Sequence, residues 1–156
     1  LGGITDVSRK ILAILYDQPF DKPKMSVGET VAKTMLEFGI PAALEKYETL
    51  KSENQGKYSF KEMDMNNIGY QLVGLGKVTE AIEIFKLNVG AYPNSANTFD
   101  SLAEAYMTRG NKKQAIKYYK ITLEKLPGDV TTNNNLKERI KTGATENIKK
   151  MLNEQR

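Results

Sequence analysis

The chain has 156 residues, of which 40% are hydrophobic and 27% are charged, and its formal net charge is +4. This composition fits about one globular domain with enough apolar material for a core, and no apolar run is long enough to span a membrane. The chain contains neither cysteine nor histidine, which excludes disulfides, thiolate nucleophiles, imidazole bases and the usual zinc ligands.

The first predicted element is a helix from Asp6 to Tyr16, whose apolar face includes Ile11 and Leu15. Pro19 and Pro23 follow and favour an extended connection, because proline interrupts helical hydrogen bonding. We interpret residues 1–25 as an N-terminal helix with a proline-containing linker, or as the end of a preceding catalytic domain. Such an apolar helix either folds onto the rest of the chain or forms a homodimer.

The pattern of residues 26–53 predicts a helical hairpin, which is a degenerate copy of the two hairpins predicted after it. Ser26 and Glu29 form a capping box at its start. Gly39 ends the first helix, and Pro41 fits the first turn of the second, where its missing N–H costs nothing. The apolar stripe of the first helix comprises Val27, Val31, Met35, Leu36 and Phe38.

The next two segments, residues 62–95 and 96–129, carry the same pattern 34 residues apart. Each predicts two helices joined at a glycine. The capping residues predicted for the first segment are Ser59 and Thr79. Matched positions in the two segments are Ile68 and Leu102, Gly69 and Ala103, Leu72 and Tyr106, Gly76 and Gly110, Ala81 and Ala115, Phe85 and Tyr119, and Pro93 and Pro127. The small residues at 69, 81, 103 and 115 are expected where the helices cross.

After Pro127 the pattern fades. Leu136 and Ile140 continue it, whereas Asn133 and Lys137 stand where an aromatic and a small residue are expected. We interpret residues 130–156 as C-terminal capping helices, one of which ends at Gly143, with a polar outer side. The last residues, from Asn153 onwards, are expected to fray.

This 34-residue pattern resembles the tetratricopeptide repeat (TPR). The resemblance implies an all-α fold, a superhelix of stacked antiparallel helical hairpins that occupies residues 26–156. It also implies a concave groove lined by the first helix of each hairpin. The repeat register then places the following residues in the groove: Met63, Asn66, Tyr70, Val73, Asn97, Asp100, Glu104, Met107, Thr131, Asn134, Glu138 and Lys141.

The chemistry of this predicted groove limits its partners. In TPR proteins that bind chaperones, lysine, arginine and asparagine at such positions hold a carboxylate, whereas Asp100, Glu104 and Glu138 would repel one. We therefore expect an apolar or basic protein segment. The segment can belong to another protein, to the chain's own N-terminal helix or to a parent catalytic domain.

A second resemblance is to the C-terminal tail of bacterial serine hydrolases of the β-lactamase and penicillin-binding type. It rests on residues 8–16 with Pro19 and Pro23, and on the residues around Gly69, Ala81, Tyr92 and Asp100. It implies a catalytic domain preceding this chain, a periplasmic or cell-envelope location, and an alternative function as an accessory region that shapes access to the active site.

Three short motifs look functional, but their sequence context favours structural roles. Residues 141–143 spell Lys-Thr-Gly and residues 92–94 contain Tyr-x-Asn, yet no Ser-x-x-Lys nucleophile occurs in the chain. The basic and aromatic residues at 117–120 form a pattern that is typical of stacking on nucleic acid. Tyr119 occupies a core position of the repeat, however, which favours a structural role for this run. Lysines from Arg109 onwards fall mostly opposite the apolar stripe and indicate a solvated surface. We therefore predict no catalytic residues, no cofactor, no metal and no nucleic-acid partner.

Overall fold

The computed structural model describes residues 25–53 and 56–154, and these residues are mostly helical, as predicted. Two-residue strands, β1 (Met25–Ser26) and β2 (Tyr58–Ser59), pair in parallel, with Met25 opposite Tyr58. A 3₁₀ turn spans Leu126–Gly128. The α-helices of the described ranges are α1 (Val27–Phe38), α2 (Ile40–Ser52), α3 (Glu62–Gly74), α4 (Val78–Ala91), α5 (Ala96–Thr108), α6 (Lys112–Lys125) and α7 (Asn134–Asn153). The helix and linker predicted for residues 1–24 lie outside the described residues.

The helices α1 and α2 form the first pair, with the predicted boundaries. The Ser26 hydroxyl accepts a hydrogen bond from the Glu29 amide at 3.3 Å, so the predicted N-cap is present. Gly39 separates the two helices, and Pro41 lies in the first turn of α2. The predicted stripe is narrower than expected, because Leu36 and Phe38 are 50% and 72% exposed. The buried residues of α1 are Val27, Gly28, Val31, Ala32 and Met35.

The helices α3 and α4 pack against each other around a close contact at Gly69. A Cβ atom on Gly69 would lie 2.4 Å from the Phe85 ring, so the ring occupies the space that any side chain would need. The chain turns at Gly76, whose φ of +74° lies in the left-handed region that favours glycine. The Lys77 amide closes this turn by donating to the Leu72 carbonyl at 2.8 Å.

The helices α5 and α6 repeat this arrangement 34 residues later. Gly110 has a φ of +80°, and the Asn111 amide donates to the Tyr106 carbonyl at 2.9 Å. Tyr119 occupies the position that matches Phe85, and both side chains are fully buried. Ala103 and Ala115 are also fully buried where α5 and α6 cross, as their small size predicted. We call α3 with α4 the first hairpin and α5 with α6 the second hairpin.

Three predicted helix ends differ from the structure. Lys61, and not Ser59, precedes α3, and the Ser59 hydroxyl donates to the Asp64 carboxylate at 3.2 Å. Thr79 lies inside α4, which begins at Val78. Gly143 does not end a helix, because it lies in the middle of the 20-residue helix α7. The segment after residue 130 therefore holds one long helix, since no residue between Asn134 and Asn153 interrupts its hydrogen bonding.

One main core runs through α1 to α7, because α1 packs against both α2 and α3, and each helix from α3 onwards packs against the next in sequence. Large side chains with almost no exposure include Ile82, Ile84, Phe85, Leu102 and Tyr119. Helix α7 covers the end of this core with Ala144 and Met151, and it also packs against α5. The contact between α5 and α7 brings two helices that are distant in sequence to the sides of one cavity.

The N-terminus of α5 is fixed by Asp129, which is 1% exposed. Its Oδ2 accepts hydrogen bonds from the Ala96 amide at 2.8 Å and the Thr132 hydroxyl at 2.6 Å. Its Oδ1 accepts from the amide and the hydroxyl of Thr131, both at 2.7 Å, and from the Thr132 amide at 3.0 Å. Burial alone would raise the pKa of Asp129, but these hydrogen bonds outweigh it and lower the pKa below its ordinary value.

Candidate functional site

A cavity of 370 Å³ lies between α3, α5 and α7. Asn66 and Tyr70 on α3, and Asn97, Asp100 and Glu104 on α5, are three or four residues apart, so each set shares one helix face. Its lining residues are Asn66, Tyr70, Asn97, Asp100, Glu104, Leu136, Arg139, Ile140 and Gly143. The cavity is within the range of about 300–1,000 Å³ that is usual for ligand pockets.

Tyr70 connects the first hairpin to the second at this cavity. Its hydroxyl donates to the Glu104 Oε2 at 2.6 Å and lies 3.1 Å from the Ser101 Oγ. Its ring meets the edge of Phe85, with ring centroids 5.2 Å apart. Burial, followed by the negative charge of Glu104, raises the pKa of Tyr70 above its ordinary value. Tyr70 therefore remains a neutral hydrogen-bond donor that fixes the Glu104 carboxylate in place.

Asp100 is a half-buried carboxylate that has no hydrogen-bond or ion-pair partner among the described residues. Burial, followed by the negative charge of Glu104, raises the pKa of Asp100 to about 7. Arg139, the basic residue at this cavity, is exposed and forms no ion pair with Asp100 or Glu104. The cavity therefore holds two carboxyl groups whose charge no described cation balances within ion-pair distance.

Asn66 lines the cavity from α3, the first helix of the first hairpin. It is 7% exposed, and its Oδ1 has no hydrogen-bond partner. A buried polar atom without a partner costs about 1–3 kcal/mol, so such atoms are uncommon. Asn97 is better satisfied, because its Nδ2 donates to the Glu62 Oε1 at 2.8 Å.

The structure brings five of the predicted groove residues together at this cavity: Asn66, Tyr70, Asn97, Asp100 and Glu104. Val73 and Met107 are instead half-buried and pack against the main core. Met63 is 63% exposed and lies outside the cavity lining. Thr131 hydrogen-bonds to Asp129.

The predicted residues of α7 do not join them. Asn134 is exposed at the start of α7. Glu138 and Lys141 line a different cavity of 440 Å³ between α6, the 3₁₀ turn and α7. The acidic residues that line the first cavity are therefore Asp100 and Glu104, without Glu138.

Four lining residues were not predicted as groove residues: Leu136, Arg139, Ile140 and Gly143. The sequence did contain a signal for them. Leu136 and Ile140 continue the 34-residue register of Leu102 and Tyr106, and residues three or four positions further lie on the same helix face. Ile140 is also part of the core, because it is 4% exposed.

The described residues contain no group of three or more acidic side chains that could hold a metal ion. Across the same part of the chain, none of the helices combines the length and apolar character that a membrane span requires. Comparison with models of known protein families and with curated proteins gives no match.

Proposed function

We propose that this chain is a non-catalytic interaction module built from TPR-like hairpins, which binds a segment of a protein at the cavity between α3, α5 and α7. The observation that carries this proposal is the cavity itself. Five side chains converge on it from the first helices of two successive hairpins, where a helical-repeat groove is expected.

The repeated geometry supports the same proposal. The two hairpins share a left-handed glycine at the turn, a fully buried aromatic residue on the second helix and a small residue where the helices cross. The Tyr70 to Glu104 hydrogen bond joins positions that are 34 residues apart, one on each hairpin. Repeat proteins place matched positions side by side in this way and use the resulting surface for binding.

The charge of the cavity supports a partner that is not acidic. Asp100 and Glu104 contribute negative charge, and the apolar side chains Leu136 and Ile140 lie beside them. A partner's terminal carboxylate would meet like charge at this surface, which costs affinity. An extended or helical segment with apolar and basic residues is the occupant that this lining favours.

The test is a selection of linear peptides from a random displayed library against the purified chain. Enriched peptides are then titrated into isotope-labelled protein and followed by NMR. The proposal expects saturable shifts on the residues that line the cavity, on α3, α5 and α7. Peptides that shift only the outer face of α6, around Lys113, Lys117 and Lys120, would contradict it, and so would a selection that enriches no binder.

The alternative function, an accessory region of a serine hydrolase, rests mainly on residues 8–16 and the prolines that follow. These residues lie outside the described part of the chain, so the alternative stays a prediction from the sequence. A Ser-x-x-Lys domain encoded directly upstream of Leu1 would favour it.

A further inference from the structure

The carboxyl groups of the cavity lack a positive partner. Asp100 has no hydrogen-bond or ion-pair partner in the described ranges, and Glu104 accepts one hydrogen bond, from the neutral Tyr70 hydroxyl. Arg139 is exposed and does not pair with either carboxyl group. Half-buried carboxylates are normally paired, because desolvation penalises an isolated charge.

The Asn66 amide is an independent observation that points to a missing hydrogen-bond donor. Its Oδ1 is buried and unpartnered, although the residue lines the same cavity. An amide oxygen accepts hydrogen bonds and cannot donate them. A group that satisfied Asn66 and the carboxyl groups together would therefore carry several N–H donors and a positive charge.

The apolar residues of the lining indicate how such a group is attached. Leu136 is half-buried and Ile140 is 4% exposed, and both lie at the α7 side of the cavity. Lysine and arginine side chains place their methylene groups along apolar surfaces while their charged ends reach polar partners. The apolar residues and the carboxyl groups of the lining together match a side chain with an aliphatic stem and a cationic end.

We propose that the cavity between α3, α5 and α7 binds the cationic end of a lysine or arginine side chain from the partner segment. Glu104, oriented by Tyr70, and Asp100, which ionises when the cation binds, supply the negative charge, and the Asn66 Oδ1 accepts a further hydrogen bond. This inference rests on the proposed function, and it names the chemistry that the groove recognises.

The protonation of Asp100 gives the proposal a pH signature. The titratable and charged groups that surround Asp100 are Tyr70 on α3, Glu104 on α5, Tyr119 on α6 and Arg139 on α7. Burial and the charge of Glu104 place the pKa of Asp100 at about 7 in the unoccupied cavity. A bound cation favours the ionised form, so binding near pH 7 releases a proton and strengthens about tenfold between pH 6 and pH 8.

The experiment is an NMR titration of the chain with n-butylammonium and with ethylguanidinium, and n-butanol serves as the uncharged control. The proposal expects saturable shifts at Asn66, Asp100 and Ile140 for both cations, and butanol binding that is at least about tenfold weaker. Calorimetry with the tighter cation, in buffers of different ionisation enthalpy, should detect proton release at pH 7. Equal binding of butanol would overturn the proposal.

Two isosteric variants localise the effect. Asp100→Asn should weaken binding of the cations about tenfold and remove its pH dependence. Glu138→Gln is the matched control, because Glu138 lines the other cavity of α7, and it should bind as the unmodified chain does. If Glu138→Gln weakens binding as much as Asp100→Asn, the site is elsewhere and the proposal is wrong. Melting curves of both variants verify that they fold.

In the competing explanation, the Arg139 side chain pairs with the carboxyl groups of the cavity in solution and neutralises them. In that case n-butylammonium would bind only after Arg139→Gln, and this result would overturn the proposal. The two proposals fail separately. Peptides that map to the cavity but contain no essential lysine or arginine would leave the interaction module standing and refute the cationic ligand.

Discussion

The two hairpins have nearly the same backbone pattern, but matched positions carry different side chains that follow from what each hairpin contacts next. The first hairpin is followed by another hairpin, and its boundary residue Ser95 is 2% exposed with an unpartnered hydroxyl. The second hairpin is followed by α7, and the matched residue Asp129 accepts five hydrogen bonds. The period of 34 residues therefore repeats the helices, while the residues between and beside them adapt to their neighbours.

The largest expected effect comes from replacing Asp129, at the end of the second hairpin, by serine, which is the residue at the matched position 95 of the first hairpin. Asp129→Ser should lower the free energy of unfolding by about 3 kcal/mol, because it leaves several buried donors without an acceptor. The measurement is urea unfolding at pH 7, with Ser95→Ala as the matched control of small effect.

The pH dependence of the same variant sharpens this prediction. The pKa of Asp129 is lower in the folded chain than in the unfolded chain, where it is near its ordinary value of 3.8. Its contribution to stability is therefore present above pH 4 and is lost as the pH falls below that value. The stability difference between the unmodified chain and Asp129→Ser should shrink as the pH decreases below about 4. A difference that is constant with pH would contradict the role of the carboxylate.

The next effect concerns Gly69 and Ala103, which are matched positions of different size. Gly69→Ala should destabilise the chain by about 2 kcal/mol, because the new Cβ would meet the Phe85 ring at 2.4 Å. The control is Gly90→Ala on α4, where a Cβ meets nothing within 4 Å and helix propensity favours alanine. Adding Phe85→Leu should recover part of the loss in a double-mutant cycle. Equal stability of the two alanine variants would be incompatible with the close contact.

The third effect concerns the hydroxyl that distinguishes Tyr119 from Phe85. The Asn147 amide on α7 donates to this hydroxyl at 2.9 Å. Tyr119→Phe should cost about 1.5 kcal/mol, because Asn147 loses its partner. Thermal unfolding of Tyr119→Phe, of Asn147→Ala and of the double variant measures the coupling between the two side chains. Additive losses would show that the hydrogen bond does not hold α7 to the second hairpin.

The smallest expected effect comes from replacing Asp100 by asparagine, which is the residue at the matched position 66. The folded pKa of Asp100 is about 7 against 3.8 when unfolded, so ionising Asp100 destabilises the fold as the pH rises between these values. Asp100→Asn should therefore be more stable than the unmodified chain at pH 8, and solvent screening limits the gain to about 1 kcal/mol. At pH 4 the two should be equal. A stabilisation of the same size at both pH values would contradict the raised pKa.

The sequence was sufficient for the elements that repeat. The glycine turns at 76 and 110 and the buried pair Phe85 and Tyr119 were predicted, because each is fixed by local sequence within 34 residues. The helix caps predicted at Ser59 and Thr79 were wrong. The part of the cavity formed by α3 and α5 was predicted for the same reason. Its five residues occupy the shared face of two helices in one register.

The remaining part depends on contacts that no local pattern encodes. The register of α7 could not be obtained from the repeat, because polar residues replace its small and aromatic positions, and Gly143 looked like a helix end. The hydrogen bonds of Asp129 depend on the approach of the α5 N-terminus to the loop after α6. The pairing of β1 with β2 joins residues more than 30 positions apart in sequences that carry no strand pattern.

The central claim, that the cavity between α3, α5 and α7 is the docking site, is tested most directly by filling it. Gly143→Phe adds a ring where a Cβ meets nothing within 4 Å and where the residue lines the cavity. Gly90→Phe adds the same ring to the exposed side of α4, where the Cβ also meets nothing. Calorimetry of a selected peptide should show binding weakened at least about tenfold by Gly143→Phe and unchanged by Gly90→Phe. Unchanged binding to Gly143→Phe would contradict the account.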